Sequence, residues 1–355
     1  STMQRRTTNT VHVGDIAIGS GHPIAVQSML CVAPSDLAAN IAQTLVLKEA
    51  GCDIVRLAIP TMDDIRLISA IKNEVDIPLV ADIQFDYRLA IAAVKAGIDK
   101  VRINPGNIGG SDRVHAVAEA CRDRHIPIRI GVNSGSLEKD ILQKYGRPTA
   151  EALVESALRH IQLLEDEHFT DYLVAIKSSD TITTVEANRL LAQKVDCPLH
   201  LGVTEAGTER MGIIKSSAGL GALLCEGIGD TIRVSLTADP VREVYAARDL
   251  LAALGLDHGR VQFISCPTCG RCQVDLLRIA EEAEQALAAV HKDIKVAVMG
   301  CAVNGPGEAS DADLGVACGR GQGLLFSHGQ IIGKVAEDQI VDALMAEVDK
   351  LIEEK

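Results

Sequence analysis

The chain has 355 residues, 47% of them hydrophobic and only 2% aromatic, with no Trp and a formal net charge of -13. That length exceeds what one hydrophobic core usually fills, so a large domain and a smaller one are expected, while the negative charge excludes sequence-independent binding to nucleic-acid phosphates. No apolar run reaches the eighteen or so residues of a membrane span, and the opening Ser1-Thr2-Met3-Gln4-Arg5-Arg6 lacks the apolar core of a signal peptide, its first two residues reading as an expression scar.

In chain order, eight short apolar runs alternate with amphipathic stretches of helical length. The runs are 25–29, 54–59, 78–83, 100–104, 127–133, 172–177, 198–205 and 231–236; the helices between and after them include 36–50, 87–96, 150–165 and 240–254. Strand followed by helix, repeated eight times, predicts a parallel (β/α)8 TIM barrel over residues 1–257. Runs apolar at nearly every position fit strands covered on both faces. An open doubly wound sheet is the alternative. Past Gly255 the pattern changes to a smaller α/β domain over 258–355: a strand at 261–265, a helix at 273–291, a strand at 294–299, a hairpin of 324–327 and 330–334 around His328-Gly329, and a closing helix at 337–353.

A (β/α)8 barrel carries its active site at the C-terminal strand ends. This chain places Arg56, Asp82, Arg102, Asn104, Arg129, Asn133, Lys177, Thr204, Glu205, Arg233 and Ser235 there. Residues two apart on a strand share a face, which pairs Arg102 with Asn104 and Arg233 with Ser235. Singly, each cation reads as a surface ion-pair partner. Together, four arginines and a lysine in one mouth repel one another unless an anion neutralises them, and a diphosphate is the natural guest. Glu205 is either their counter-ion or an enclosed acid of raised pKa that protonates a departing oxygen or a carbanion.

The ten cysteines are expected in a reducing cytoplasm, where clustered thiols mean metal or redox chemistry more often than disulfides. Cys52, Cys121, Cys197 and Cys225 read as small buried apolar residues, as does Cys318. Cys266-Pro-Thr-Cys269, joined by Cys301 from a remote loop, reads as a metal site, because two sulfurs at i and i+3 can share one ion or cluster. Soft thiolates select zinc, copper or iron-sulfur chemistry over hard ions. Cys272 extends the run to Cys-x-x-Cys-x-x-Cys. An all-cysteine cluster, a zinc site and a cluster of three thiolates with one other ligand all remain open.

Long segments resemble a known family. They include Ala25-Val-Gln-Ser-Met29, Asp53-Ile-Val-Arg56, Val101-Arg-Ile-Asn-Pro-Gly-Asn-Ile-Gly109, Ile128-Arg-Ile-Gly-Val-Asn133, Ser136-Leu-Glu-Lys139, Gly202-Val-Thr-Glu-Ala-Gly207, Gly227-Ile-Gly-Asp-Thr-Ile-Arg-Val-Ser235, Cys266-Pro-Thr-Cys269 and Asn304-Gly-Pro-Gly-Glu308. Over nearly its whole length the chain is similar to the bacterial two-domain 4-hydroxy-3-methylbut-2-enyl diphosphate synthases.

The resemblance implies a dihydropteroate-synthase-like barrel, a sulfite-reductase-like C-terminal domain, and reductive ring opening of 2-C-methyl-D-erythritol 2,4-cyclodiphosphate in the non-mevalonate isoprenoid pathway. It implies a 4Fe-4S cluster on Cys266, Cys269 and Cys301, with Glu308 on the fourth iron, where a hard carboxylate is more easily displaced than a thiolate. Glu205 becomes the proton donor, and Arg56, Arg102, Asn104, Arg129, Asn133, Lys177, Thr204, Arg233 and Ser235 the substrate contacts. A head-to-tail homodimer in the cytoplasm and a flavodoxin or ferredoxin as electron donor complete the expectation.

Two departures bear on the substrate. Leu30-Cys31-Val32 stands where the family usually has Thr-Asn-Thr, and Gln84 where it typically has His. Either a divergent paralogue that reduces another diphosphate or oxygenated anion, or an iron-sulfur sensor without turnover, is the competing reading.

Overall fold

The structure, a computed structural model, describes residues 4–257, 259–270, 272, 274–301 and 310–354. Its N-terminal part opens on a hairpin, β1 (Val11–Val13) and β2 (Ile16–Ile18), that sequence periodicity did not mark. Val11, Val13 and Ile18 pack with Ala25, Ile54, Val80 and Leu173, so the hairpin joins the core at the N-terminal ends of the barrel strands.

Eight strands follow: β3 (Ala25–Met29), β4 (Ile54–Ala58), β5 (Leu79–Asp82), β6 (Lys100–Arg102), β7 (Ile128–Asn133), β8 (Tyr172–Lys177), β9 (Leu199–Leu201) and β10 (Thr231–Ile232). They are all parallel, and β10 pairs with β3 through Thr231–Ala25 and Ile232–Val26, closing the barrel. The expected (β/α)8 architecture is therefore present and the open sheet is excluded. Strands β6, β9 and β10 are shorter than their apolar runs, so Asn104, Thr204, Glu205, Arg233 and Ser235 sit on loops just beyond the sheet.

Local signals set the helix starts. Asp36, Asp180 and Thr149 accept backbone N–H groups of Ala39, Thr183 and Ala152, satisfying donors the first helical turn leaves free. Helix Lys139–Tyr145 stops at Gly146 in the left-handed region, the usual C-terminal exit.

The chain divides into two compact units, Ser1–Leu250 and Leu251–Lys355. The second holds a mixed sheet in the order β11 (Gln262–Ser265), β12 (Lys295–Met299), β13 (Leu314–Gly319), β14 (Gln322–Ser327), β15 (Gln330–Ala336), parallel across the first three strands and antiparallel thereafter. Helices Leu276–Leu287 and Ile340–Glu353 cover one face with Ile279, Ala283, Leu287, Ile340, Leu344 and Val348. Strand β13 lies outside the sequence expectation, and the first helix is shorter than the expected 273–291.

Candidate functional site

Strands β4, β6, β7 and β8 place Arg56, Arg102, Arg129 and Lys177, and the loop that follows β10 places Arg233. Arg56, Arg102, Arg129, Lys177 and Arg233 line one cavity of about 90 Å³ together with Gly131, Asn133, Thr204 and Ser235. Asp82 answers two of the cations, at 3.0 Å from Arg56 Nη2 and 3.2 Å from Arg102 Nη1. Glu243 answers a third, with Oε1 3.3 Å from Arg233 Nε. Sequence reasoning missed Glu243, because an acidic residue in the first turn of a helix is an ordinary stabilising placement. It also accepts the Ser28 hydroxyl at 3.0 Å and the Leu236 amide at 3.0 Å, and is 3% exposed.

The cavity remains short of negative charge. Among the described residues, Arg129 Nε and Nη1 meet no hydrogen-bond acceptor, and neither do Arg56 Nε and Arg102 Nε. Burial, then the neighbouring Arg56 and Arg102, push the Arg129 guanidinium well below its ordinary range. A guanidinium keeps its proton in a protein, so the penalty persists until an anion arrives. Burial and then Arg129 and Arg56 drive the Lys177 ammonium well below its ordinary range. For Asp82, burial acts to raise the pKa, but Arg56, Arg102 and Arg129 override it and hold the carboxyl below the usual value.

Two glycines make the cavity possible. A Cβ on Gly131 would lie 2.8 Å from Arg102 Nε, and one on Gly202 would lie 2.9 Å from Lys177 Cε. The long cations fold across bare backbone.

Asn104, expected among the substrate contacts, is engaged with the backbone of β7. Its amide donates to Gly131 O and accepts from Gly131 N–H, both at 2.8 Å, and it does not line the cavity. Both ends of the side chain help hold the end of β6 to β7, each keeping one further donor or lone pair. The pairing with Arg102 on one face holds in a different sense, since Arg102 Nη2 reaches the same Gly131 carbonyl at 3.3 Å.

A wider, hydroxyl-rich hollow of about 580 Å³ shares Asn133 and Thr204 with the cationic cavity and adds Ser134, Ser136, Arg147, Ser178 and Glu205. Glu205 has φ of 52° and is exposed. A non-glycine residue in the left-handed region is uncommon and marks a backbone position over-determined by its surroundings. Among the described residues of the barrel unit, none encloses this carboxyl.

At the departures, Leu30 is buried while Cys31 is exposed, its N–H donating to Gln43 Oε1 at 2.9 Å and its Sγ accepting from Gln43 Nε2 at 3.1 Å. Gln84 points its Nε2 at Asp82 Oδ1, 3.4 Å away, so a neutral donor faces the carboxylate that organises Arg56 and Arg102.

In the second unit, Cys266 follows β11 and Cys301 follows β12, at the C-terminal ends of two adjacent parallel strands. Gly300 N–H donates to Cys266 Sγ at 3.0 Å and Cys269 N–H to Cys272 Sγ at 3.4 Å. A Cβ on Gly300 would find Cys272 Sγ at 2.7 Å and Cys266 Sγ at 3.4 Å, so two sulfurs converge on one spot. Among the described residues no three histidine, cysteine or acidic side chains already enclose a single ion. Soft sulfur donors at neighbouring strand ends, with backbone amides donating to them, nevertheless fit an iron-sulfur cluster. Glu308 lies outside the described residues.

The remaining cysteines divide as their surroundings dictate. Cys52, Cys121, Cys197 and Cys318 are buried and burial pushes each thiol up to about 12, which makes them inert packing groups. Cys225, expected to be buried, is exposed near the end of its helix.

A closed parallel barrel with a desolvated cationic mouth, joined to an α/β unit with thiols at its strand ends, defines a two-domain anion-binding protein of the iron-sulfur type. Residues 8–248 match the family described as GcpE TIM-barrel domain, and residues 262–350 match GcpE protein C-terminal domain. The chain belongs to the GcpE family. It is 54% identical over 352 residues to 4-hydroxy-3-methylbut-2-en-1-yl diphosphate synthase (flavodoxin) of Geobacillus kaustophilus, covering 99% of this chain and 94% of that one. It is likewise 54% identical over 349 residues to the protein of the same name from Clostridium acetobutylicum, covering 98% of this chain and 100% of the other. Among solved structures, dihydropteroate synthase from Stenotrophomonas maltophilia aligns at 16% identity with a TM-score of 0.49, over 66% of this chain and 92% of that one.

Proposed function

We propose that the cationic cavity holds the diphosphate of 2-C-methyl-D-erythritol 2,4-cyclodiphosphate, with Arg56, Arg102, Arg129, Lys177 and Arg233 as charge partners and Asn133, Thr204 and Ser235 as hydrogen-bond partners. The protein is an iron-sulfur oxidoreductase of the non-mevalonate isoprenoid pathway. It opens the cyclodiphosphate ring reductively and removes a hydroxyl as water, giving 4-hydroxy-3-methylbut-2-enyl diphosphate. The observation that carries the substrate assignment is the desolvated guanidinium of Arg129, which keeps unpaired donors in a cavity lined by four further cations.

The cofactor is a 4Fe-4S cluster, for which Cys266, Cys269 and Cys301 are the proposed thiolate ligands and Glu308 the proposed fourth. When bound, the cluster supplies electrons one at a time at low potential. The chain's own residues do the rest. The arginines and Lys177 fix the diphosphate, so the carbon skeleton extends into the hydroxyl-lined hollow where Glu205 stands. Glu205 is the proposed acid that protonates the oxygen that leaves or the carbanion that follows electron uptake. Asn104 acts through Gly131 and not by contact.

The remaining expectations are proposals of the same reading: a flavodoxin as electron donor, as in the names of the relatives, with ferredoxin as its substitute; a cytoplasmic location; and a head-to-tail homodimer. Among the described residues no helix is long and apolar enough to cross a membrane. In the proposed dimer, a partner's cluster unit over the barrel mouth would enclose Glu205, which the barrel unit leaves exposed.

Anaerobic turnover of the cluster-loaded protein with the cyclodiphosphate and reduced flavodoxin tests the assignment. Sustained formation of 4-hydroxy-3-methylbut-2-enyl diphosphate is expected despite Leu30-Cys31-Val32 and Gln84. A fully loaded protein that binds the cyclodiphosphate without product would favour a sensor, and one that ignores it would favour another diphosphate.

A further inference from the structure

Two loops at the barrel mouth are tied to one imidazole. His160 lies in the middle of helix Ala150–Glu165 and is 3% exposed. Its Nδ1 accepts the Gly106 N–H at 3.0 Å, which leaves the ring proton on Nε2. Nε2 stands 3.1 Å from Glu138 Oε1, and the same carboxylate oxygen accepts the Ser156 hydroxyl at 3.0 Å. The Nδ1–Cε1 edge of the imidazole abuts Gly106, where a Cβ would be 2.8 Å from His160 Cε1.

The two anchors lie on the loops that follow β6 and β7, the strands that carry Arg102, Arg129 and Gly131. Gly106 is two residues beyond Asn104, whose amide grips both backbone groups of Gly131. Glu138 ends the segment that starts at Asn133, and residues 133–136 line the polar hollow. Helix neighbours Leu153, Ala157, Ile161 and Leu164 are all apolar and buried, so packing alone would favour an apolar residue at 160. Burying an imidazole and half-burying a carboxylate costs free energy that a leucine would avoid. What the pair supplies in return is a fixed geometry.

We infer that His160, braced by Glu138 and Ser156, is a positioning residue that holds loops 104–107 and 133–138 in the spacing the diphosphate site requires. The inference rests on reading the cationic cavity as that site. His160 touches no reacting group; it acts through the Gly106 amide and through Glu138.

The test uses full-length, cluster-loaded protein turning over the cyclodiphosphate, with iron content and backbone amide exchange measured on the same samples. His160→Leu removes both links, while His160→Asn returns an acceptor at the Nδ1 place and restores the Gly106 link alone. His160→Leu is expected to raise KM about tenfold with kcat changed less than about threefold, and to speed exchange at the Gly106 amide and at 134–138. His160→Asn is expected to recover protection at Gly106 and most of the KM. An unchanged KM in His160→Leu, or a raised KM in both variants with amide exchange at Gly106 and 134–138 as in the parent, would overturn the inference, the second result meaning that the imidazole only fills space.

If His160→Leu fails to fold, Glu138→Ala replaces it: the half-exposed rim tolerates the truncation, and a KM equal to the parent's counts against the inference. Arg129→Met separates the two layers of the argument. Should Arg129→Met bind the cyclodiphosphate normally, the cavity reading fails while amide exchange still decides the tether; should it weaken binding while His160→Leu does not, the tether alone is wrong.

Discussion

Glu205 and Asn104 show how differently two polar residues at strand ends can be used. Glu205 is exposed, strained at positive φ and next to Thr204, a residue shared by both hollows. Glu205→Gln should lower turnover by about 10²–10⁴-fold, the usual worth of a positioned acid, with substrate affinity and iron content retained; single-turnover and binding measurements on one preparation decide it, and normal turnover would remove Glu205 as the acid. Asn104→Ala instead cuts two buried bonds to Gly131, so it should destabilise the barrel unit by about 1–3 kcal/mol in urea titration as well as weaken substrate binding. Sequence alone identified both as mouth residues because strand periodicity fixes where a strand ends. It could not tell contact from scaffold, since that depends on whether Gly131 lies within reach of the amide.

At the scale of elements, glycines and short strands shape the site more than the apolar pattern does. Gly202 lies beside Lys177, and Gly202→Ala would put a methyl group 2.9 Å from Lys177 Cε. Overpacking of this kind typically costs about 1–3 kcal/mol, and because the side chain that must move is a proposed diphosphate ligand, the expected reading is an affinity loss of about tenfold or more by calorimetry. In the C-terminal sheet, β13 escaped sequence analysis because Leu314-Gly-Val-Ala-Cys-Gly319 is flanked and interrupted by glycine, a poor strand former. Packing reversed that preference: Gly315 leaves room for the Phe326 ring, whose Cζ would sit 2.4 Å from a Cβ there. Cys272 belongs to the same scale, since its sulfur and that of Cys266 would lie 2.7 Å and 3.4 Å from a Cβ on Gly300. Cys272→Ala should leave cluster iron unchanged if Glu308 is the fourth ligand, whereas iron loss would favour an all-cysteine set.

For the whole molecule, buried neutral histidines set a response to acid. Burial first lowers the His160 pKa below its ordinary value of 6.5, with Glu138 opposing and Arg159 and Arg102 adding to the fall. His200 is lowered much further, by burial and then by Arg129, Lys177 and Lys100. A lowered histidine pKa means the unfolded chain binds more protons, so this contribution is complete above the ordinary value and is lost as pH falls beneath it. The urea midpoint should therefore drop between pH 7.5 and pH 5.5, roughly one unit either side of the free imidazole value, and a flat midpoint would contradict neutral burial. The proposed head-to-tail dimer is checked by mixing Arg129→Met chains with Cys266→Ala chains. Random pairing should restore about a quarter of the parent activity if each barrel works with the partner's cluster unit, and none if each chain works alone.

Residue order by itself determined the eight strand-then-helix units, which left a closed barrel or an open sheet, and it picked out the candidate thiol ligands and the mouth cations, because those depend on local spacing and on strand ends. Tertiary structure alone decided which groups answer the cations. Glu243 and Asp82 reach them from different elements, Asn104 is drawn to Gly131, Arg129 is left with unpaired donors, and His160 meets Gly106 across 54 positions of chain. The physical reason is one of range: periodicity and capping act over a few residues, whereas desolvation and hydrogen-bond satisfaction depend on groups that only the closed barrel brings within a few ångströms.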